Sequence, residues 1–285
     1  MAIDVERSTQ AQAEAEESSP VRAPRSKRYR YGWAVEAVAI VVAYEIFEFT
    51  RDHVMGSTRV ALHRAEQLVR LERDLGLFHE RAIQRHFLGW SHFLSFWNIY
   101  YGTIHFLAPL IALAVLYRHA PTRYLRWHNT LAVMELVALV AFIGLPLMPP
   151  RLMPAHYGFV DTAARYFNFG PQVKVRFGPD GLPDPAAVKA FGNLYAAMPS
   201  LHVGWATWSV LALLPLVRRW WLKALLLLYP MVTLFAVVVT ANHWILDGVG
   251  GWVVLTIAWT LVALAERAWA RRRKGAQPTP VHSAP

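Results

Sequence analysis

The residues with the clearest chemical potential are a histidine and an aspartate spaced four apart, His243 and Asp247. This spacing places both side chains on one face of a helix. A carboxylate that accepts a hydrogen bond from one ring nitrogen leaves the other nitrogen with an outward lone pair. The pair is therefore suited to nucleophilic or general-base catalysis, as in the orienting half of a catalytic triad.

A second segment, Pro199-Ser200-Leu201-His202, combines a histidine with a predicted helix start. Proline is favoured in the first turn of a helix, where backbone N–H groups are unpaired and can bind an anion. We expect Ser200 and Leu201 to contact phosphate in this way and His202 to project from the same turn. Arg151, which follows two prolines, has a planar guanidinium that can bind two phosphate oxygens at once.

Two imidazoles, a carboxylate, a guanidinium and a helix N-terminus together favour phosphoryl transfer through a phosphohistidine. His243 would attack phosphorus, and Asp247 would stabilise the resulting imidazolium. His202 would protonate the leaving oxygen, while Arg151 and the backbone N–H groups neutralise the phosphate oxygens. The other histidines show no metal-ligand spacing, so we expect neither a metal nor a cofactor.

Membrane-spanning helices must position these residues. Of the 285 residues, 55% are hydrophobic and 17% charged, and the chain contains no cysteine. Apolar runs of about 20 residues match the thickness of a bilayer, whereas a soluble domain does not require them. The sequence predicts an all-α polytopic membrane protein with six transmembrane helices, at about 31–50, 92–117, 130–148, 199–217, 222–240 and 244–265.

Basic residues indicate the orientation of these helices. Six spans place both termini on one side, together with basic turns at 118–129 and 218–223, and the positive-inside rule makes that side the cytoplasm. The histidine segments then face the extracytoplasmic side. The net charge of +10 fits an integral protein of a bacterial plasma membrane that binds anionic lipid, and no pattern indicates nucleic acid. The oligomeric state stays unknown.

The domain organisation follows from the same pattern. Residues 1–30 and 267–285 are predicted to be cytoplasmic tails of a catalytic membrane domain at 31–266. Loop 149–198 is long enough to be functional. Residues 51–91 are charged but carry apolar residues at helical spacing, which predicts an amphipathic helix in the extracytoplasmic interface. The apolar residues are Val60, Leu68, Leu71, Leu75 and Phe78.

The two histidine segments resemble signatures of a known superfamily. Pro199-Ser200-Leu201-His202 and His243-x-x-x-Asp247 are similar to the second and third signatures of the type 2 phosphatidic acid phosphatase superfamily. The resemblance covers roughly residues 60–265. It implies six helices, an active site at the extracytoplasmic or lumenal surface, a phosphohistidine intermediate and no metal.

A narrower resemblance is to the branch that contains the fungal inositol phosphorylceramide synthase and its bacterial relatives. Tyr101 and His105 also match that branch. The superfamily's phosphatases carry a Lys and an Arg-Pro pair in their first signature, where this chain has only Pro149-Pro150-Arg151, and they carry Ser-Arg where it has Ala236 and Val237. Two usual cationic phosphate ligands are therefore missing, which favours the transferase-like branch. The segments that resemble the branch are Pro149-Pro150-Arg151, Ala197-Met198-Pro199-Ser200-Leu201-His202 and Thr240-x-Asn242-His243.

Three functions therefore stay open. The leading one is an inositolphosphotransferase-like enzyme that acts on a membrane lipid. The second is a lipid phosphate phosphatase for phosphatidic acid or a polyprenyl phosphate. The third, a transporter or scaffold, is suggested by intramembrane glutamates but would need broken helices or repeats, and neither is visible in the sequence. The sequence does not identify the lipid donor or acceptor.

Several polar residues near these segments have either a structural or a substrate-binding role. Asn98, Tyr101 and His105 share a helix face, so they contact the substrate or bond to one another. Asn242 is expected to hydrogen-bond to residues that contact the substrate and thereby to position them. Glu135 lies within a span and is expected to pair with an arginine of another helix.

Overall fold

The computed structural model describes residues 32–53, 56–166, 177–178, 181–184 and 193–275. These residues are mainly helical, and their β-structure is limited to two isolated bridges, which confirms the all-α class. The chain divides into two units, Met1–Ile46 and Phe47–Pro285. The helices are α1 (Gly32–His53), α2 (Thr58–Asp74), α3 (Glu80–Phe87), α4 (Ser91–His119), α5 (Pro121–Gly144), α6 (Thr162–Tyr166), α7 (Leu201–Leu213), α8 (Trp220–Val239) and α9 (Ile245–Gly275), with 3₁₀ turns at Pro150–Leu152, Ala155–Tyr157 and Leu214–Leu216.

Among the described residues, four helices are long and apolar enough to cross a membrane: α4, α5, α8 and α9. They indicate an integral membrane protein. Helix α7 and its 3₁₀ turn form a shorter apolar segment, Leu201–Leu216. Helix α1 contains Glu36, Glu45 and Glu48 and is not among the four. The six-span arrangement therefore stays a prediction.

Two helix boundaries differ from the sequence prediction. Helix α5 begins at Pro121, where a proline fits the first helical turn, and not at 130. Helix α9 continues to Gly275, past the predicted domain limit at 266, because alanine and arginine are strong helix formers. Residues 1–31 and 276–285 lie outside the described residues, so the rest of both predicted tails is not tested.

The 51–91 region is not one amphipathic helix. It contains the end of α1, then α2 and α3, with a turn between them at Gly76 in the left-handed region. Of the predicted apolar stripe, Val60, Leu71 and Leu75 are 43%, 48% and 58% exposed, whereas Leu68 is buried and Phe78 packs against the core. The buried face of α2 consists of Ala61, Ala65, Leu68, Val69 and Glu72. This face packs on protein residues of the 147–153 and 195–197 segments, where small alanines permit close approach.

Helix α7 lies at the centre of the helical bundle. It packs against α4, α8 and α9, and most of its residues are buried, as expected for a helix that is apolar on all sides. Its first turn contacts α9 backbone to backbone. A Cβ atom at Gly251 would lie 2.4 Å from the carbonyl oxygen of Ser200 and 3.1 Å from the backbone nitrogen of Gly204. A glycine at 251 is therefore required for this close packing.

We expect Gly251→Ala to separate the N-terminal turn of α7 from α9. The added methyl group would collide with backbone, which cannot move aside as a side chain can, and overpacking of this kind costs about 1–3 kcal/mol. Thermal unfolding in detergent measures the loss. The matched control is Gly102→Ala in α4, where an added Cβ meets nothing within 4 Å. Equal midpoints for the two variants would contradict the packing argument.

Candidate active site

His243 lies in the turn between α8 and α9, and backbone hydrogen bonds define its position. The N–H groups of Asn242 and His243 both donate to the carbonyl oxygen of Val237, at 2.9 and 3.2 Å. Ala241, between α8 and this pair, has a φ of 56° in the left-handed region, in which helices commonly end. Its carbonyl accepts from the N–H of Arg151 at 2.9 Å, so the turn is joined to the 3₁₀ turn that carries Arg151.

The imidazole of His243 is oriented by two acceptors. Its Nδ1 lies 2.8 Å from the carbonyl oxygen of Ala197 and 3.3 Å from Oδ2 of Asp247. A carbonyl oxygen can only accept, so Nδ1 carries the proton and Nε2 carries the lone pair. The predicted pairing with Asp247 is thus present. The contact with Ala197 was not predicted, because a backbone acceptor leaves no pattern in the sequence.

The second histidine, His202, lies in the first turn of α7 beside His243. The centroids of the two rings are 5.3 Å apart. His202 stacks on Tyr101 at 4.2 Å with an interplanar angle of 17°, and the ring of His105 lies 4.3 Å away. The fold therefore gathers both predicted catalytic histidines with the two residues of α4 that the narrower resemblance indicated.

His105 also contacts a tryptophan on α7. Its ring is nearly parallel to that of Trp205, with centroids 5.6 Å apart. The indole N–H of Trp205 donates to the carboxylate of Glu135 on α5. The observed partner of Glu135 is thus Trp205, and not the arginine that the sequence suggested. The bond between Trp205 and Glu135 therefore holds in place the tryptophan against which His105 packs.

The start of α7 only partly matches the predicted anion site. The N–H of Ser200 donates to the carbonyl oxygen of Asp247 at 2.8 Å, so it is not available to phosphate as predicted. The first intrahelical bond at this end runs from the N–H of Gly204 to the carbonyl of Ser200. The N–H groups of Leu201, His202 and Val203 precede it, as is general at helix starts. Leu201 therefore stays a predicted phosphate ligand.

Arg151 lies in the 3₁₀ turn at Pro150–Leu152 and is mostly buried. Its Nη1 donates to Oδ2 of Asp161 at 3.0 Å, and its buried Nε has no hydrogen-bond partner among the described residues. Asp161, which also accepts from the N–H of Ala164 at the start of α6, was missed. An aspartate directly before a short helix is a recognisable N-cap pattern.

Asn98 and Asn242 belong to a chain of hydrogen bonds that lies beside the site. The amide of Asn98 donates to the carbonyl of Leu94 and to the hydroxyl of Thr162, so the sequence-based expectation that it bonds Tyr101 or His105 is wrong. The Thr162 hydroxyl donates in turn to the carbonyl of Thr240. Asn242 donates to the Thr240 hydroxyl at 2.9 Å. Together these bonds attach α6 to the turn that precedes His243.

Two further carboxyl groups reach the site and were also missed. Oε1 of Glu80 accepts from the N–H of Ile245 at 3.0 Å, and Oε1 of Glu72 accepts from the N–H of Leu246 at 2.9 Å. Oδ2 of Asp247 accepts from the N–H of Trp244 at 2.9 Å. All three acids are fully buried. Burial, and next the nearby charge of Glu80, raises the pKa of Glu72 to about 9.

The geometry defines a membrane-bound histidine site with a guanidinium beside it. Within the described residues, no group of three His, Cys, Asp or Glu side chains is arranged to hold a metal ion. The sequence matches the PAP2 superfamily over residues 66–261, and the chain belongs to that superfamily. Membership indicates a phosphatase or phosphotransferase that acts on lipid phosphates. No curated protein and no solved structure is significantly similar to the chain.

We expect Ala241→Val to distort the turn that carries His243. A β-branched side chain is strongly disfavoured at positive φ, where even an ordinary residue costs about 1–2 kcal/mol, and Ala241 has no room because it is fully buried. The unfolding midpoint and turnover should both fall. Ala241→Gly should keep turnover, since glycine adopts this conformation freely. Ala82→Val, at an exposed position of α3, is the control. A tolerated valine at 241 would contradict the role of this turn.

Proposed function

We propose that this protein is a membrane-embedded lipid phosphotransferase that works through a phosphohistidine, with an inositolphosphotransferase-like reaction as its leading form. The observation that carries the proposal is the state of His243. Its Nδ1 proton is held by Ala197 and Asp247, which leaves Nε2 as a nucleophile. A second imidazole, that of His202, lies 5.3 Å away and supplies an acid.

The first half-reaction forms the covalent intermediate. Nε2 of His243 attacks phosphorus, a P–N bond forms, and the P–O bond to the leaving lipid alcohol breaks. The proton of His202 goes to the leaving oxygen. Asp247 stabilises the positive charge that develops on the His243 ring, because its carboxylate is already hydrogen-bonded to Nδ1.

The second half-reaction regenerates the enzyme. The hydroxyl of an acceptor alcohol gives its proton to His202, and its oxygen attacks phosphorus. The P–N bond breaks and its electron pair returns to Nε2 of His243. Water in place of the alcohol would give hydrolysis, so the outcome depends on which acceptor the site positions.

The charge around Arg151 favours a phosphodiester donor. Its guanidinium can offer the buried Nε to a phosphate oxygen, and the N–H of Leu201 is a second donor. One acid, Asp161, already offsets the arginine charge. A dianionic monoester would therefore be neutralised incompletely, whereas a diester with one negative charge needs less compensation.

We also propose the membrane arrangement that the basic turns indicate. Both termini are cytoplasmic, α1 and α7 complete six spans, and the histidines face the extracytoplasmic side. The support is the basic character of residues 118–129 and 218–223, which include the α4–α5 and α7–α8 connections at the opposite ends of these helices from the site. The catalytic domain is then 31–266, in a bacterial plasma membrane.

We expect His243→Ala to abolish both turnover and labelling of the enzyme by a ³²P-labelled donor, because no other group would hold the phosphoryl. His202→Ala should slow turnover by about 10²–10⁴-fold, the scale of general acid catalysis. The loss should be smaller for a donor with an activated leaving group, which needs no proton.

The control for these variants is His92→Ala, at an exposed position of α4, which should behave as the unmodified enzyme. Substantial turnover by His243→Ala would rule out its role as nucleophile. Equal losses for good and poor leaving groups in His202→Ala would rule out its role as the acid.

We expect the purified enzyme to prefer a phosphatidylinositol-like diester with a lipid alcohol over phosphatidic acid. Asp161→Asn keeps the cap of α6 but removes a negative charge beside Arg151. It should shift the preference towards phosphatidic acid by roughly two- to fivefold, the range of a partly exposed ion pair. Rapid phosphate release from phosphatidic acid, with no transfer to any acceptor, would instead favour the lipid phosphate phosphatase.

A further inference from the structure

The N-terminus of α9 is held by two glutamates that come from other helices. Glu72 of α2 accepts from the N–H of Leu246, and Glu80 of α3 accepts from the N–H of Ile245. Each uses its Oε1 for this bond. Asp247, in the same turn of α9, orients His243. The two glutamates therefore determine where this turn lies relative to α2 and α3.

The remaining oxygens of the two glutamates point to a proton between them. Both Oε2 atoms are buried, and no N–H or hydroxyl among the described residues bonds to either one. Their Oε1 atoms accept from the N–H groups of neighbouring residues, Ile245 and Leu246, so the two carboxyl groups lie close together. Two ionised carboxylates can only accept, so a hydrogen bond between the two groups requires that one of them is protonated.

The surroundings disfavour two negative charges at this place. The charged groups that act on Glu72 are Glu80 of α3 and Asp247 of α9, and both are acids. The buried face of α2, which includes Glu72, packs against apolar side chains of the 147–153 segment. Tyr195 and Tyr157, the tyrosines in that cluster, are hydrogen-bonded to Thr58 and Glu66. Among the described residues, the charged groups that act on Glu72 include no arginine or lysine that would replace the proton.

We propose that Glu72 and Glu80 are positioning residues: one shared proton joins their carboxyl groups, and the joined pair holds the first turn of α9 so that Asp247 and His243 are aligned for attack. The pair thus carries one negative charge beside Asp247 and not two. The catalytic part of this inference rests on the proposed function, because it concerns the alignment of the nucleophile.

The proton is tested by the pH dependence of stability. The folded protein keeps the proton on Glu72 up to about pH 9, whereas an unfolded chain releases it near the ordinary pKa of 4.5. The folded state therefore binds more protons between these values, and stability falls as the pH rises through this window. Glu72→Gln keeps the hydrogen bonds but carries no proton to lose.

The expected result is a difference in the unfolding midpoint between pH 6 and pH 9 in detergent. The unmodified protein should lose several degrees more than Glu72→Gln over this range. Glu80→Gln should behave like Glu72→Gln, because the proton belongs to the pair. The control is Glu66→Gln on the same helix, which should follow the unmodified protein. An equal loss in Glu72→Gln and the unmodified protein overturns the shared proton.

The positioning role is tested by kcat and KM at pH 7. Glu72→Ala removes the acceptor of Leu246 and should lower kcat by about 10- to 100-fold, the scale of a misplacement of about 1 Å, with KM little changed. Glu72→Gln should restore kcat. An unchanged kcat in Glu72→Ala overturns the role. If the unmodified protein turned over no phospholipid, the proposed function would fail, and the stability measurement would still decide whether the proton is shared.

Discussion

The first turn of α9 sets the constraint on which the active site depends. Its N–H groups have no partners within the helix, and the acid side chains that face them are fully buried. A buried, unpaired N–H is costly, so each must find an acceptor. Glu80, Glu72 and Asp247 supply these acceptors for Ile245, Leu246 and Trp244. The requirement of the backbone thereby brings α2 and α3 against the turn that carries His243.

Asp247 illustrates how one residue serves two neighbours. Its Oδ2 accepts from the N–H of Trp244 and from Nδ1 of His243, while its backbone carbonyl accepts from the N–H of Ser200. The start of α7 is therefore hydrogen-bonded to the start of α9, and the contact at Gly251 permits the close approach. The separation of His202 and His243 is consequently defined by backbone hydrogen bonding and close packing.

The electrostatics of the site differ from those of a strongly cationic phosphate pocket. At the positions where the superfamily's phosphatases carry Ser-Arg, Ala236 and Val237 are fully buried in α8. Arg151 shares its charge with Asp161. The proposed preference for a phosphodiester donor rests on this local charge and not on the fold, which the phosphatases and transferases of the superfamily share.

The sequence by itself determined the local features. Long apolar runs indicated membrane helices, the four-residue spacing paired His243 with Asp247, and Pro199 indicated the start of α7, because helix geometry relates residues that are close in the chain. The tertiary structure alone decided that Glu72 and Glu80 reach α9, across 174 and 165 positions. It also decided that Ser200 bonds to Asp247 and that α2 packs through its alanines. Periodicity shows which residues share a helix face, but not which distant backbone that face will meet.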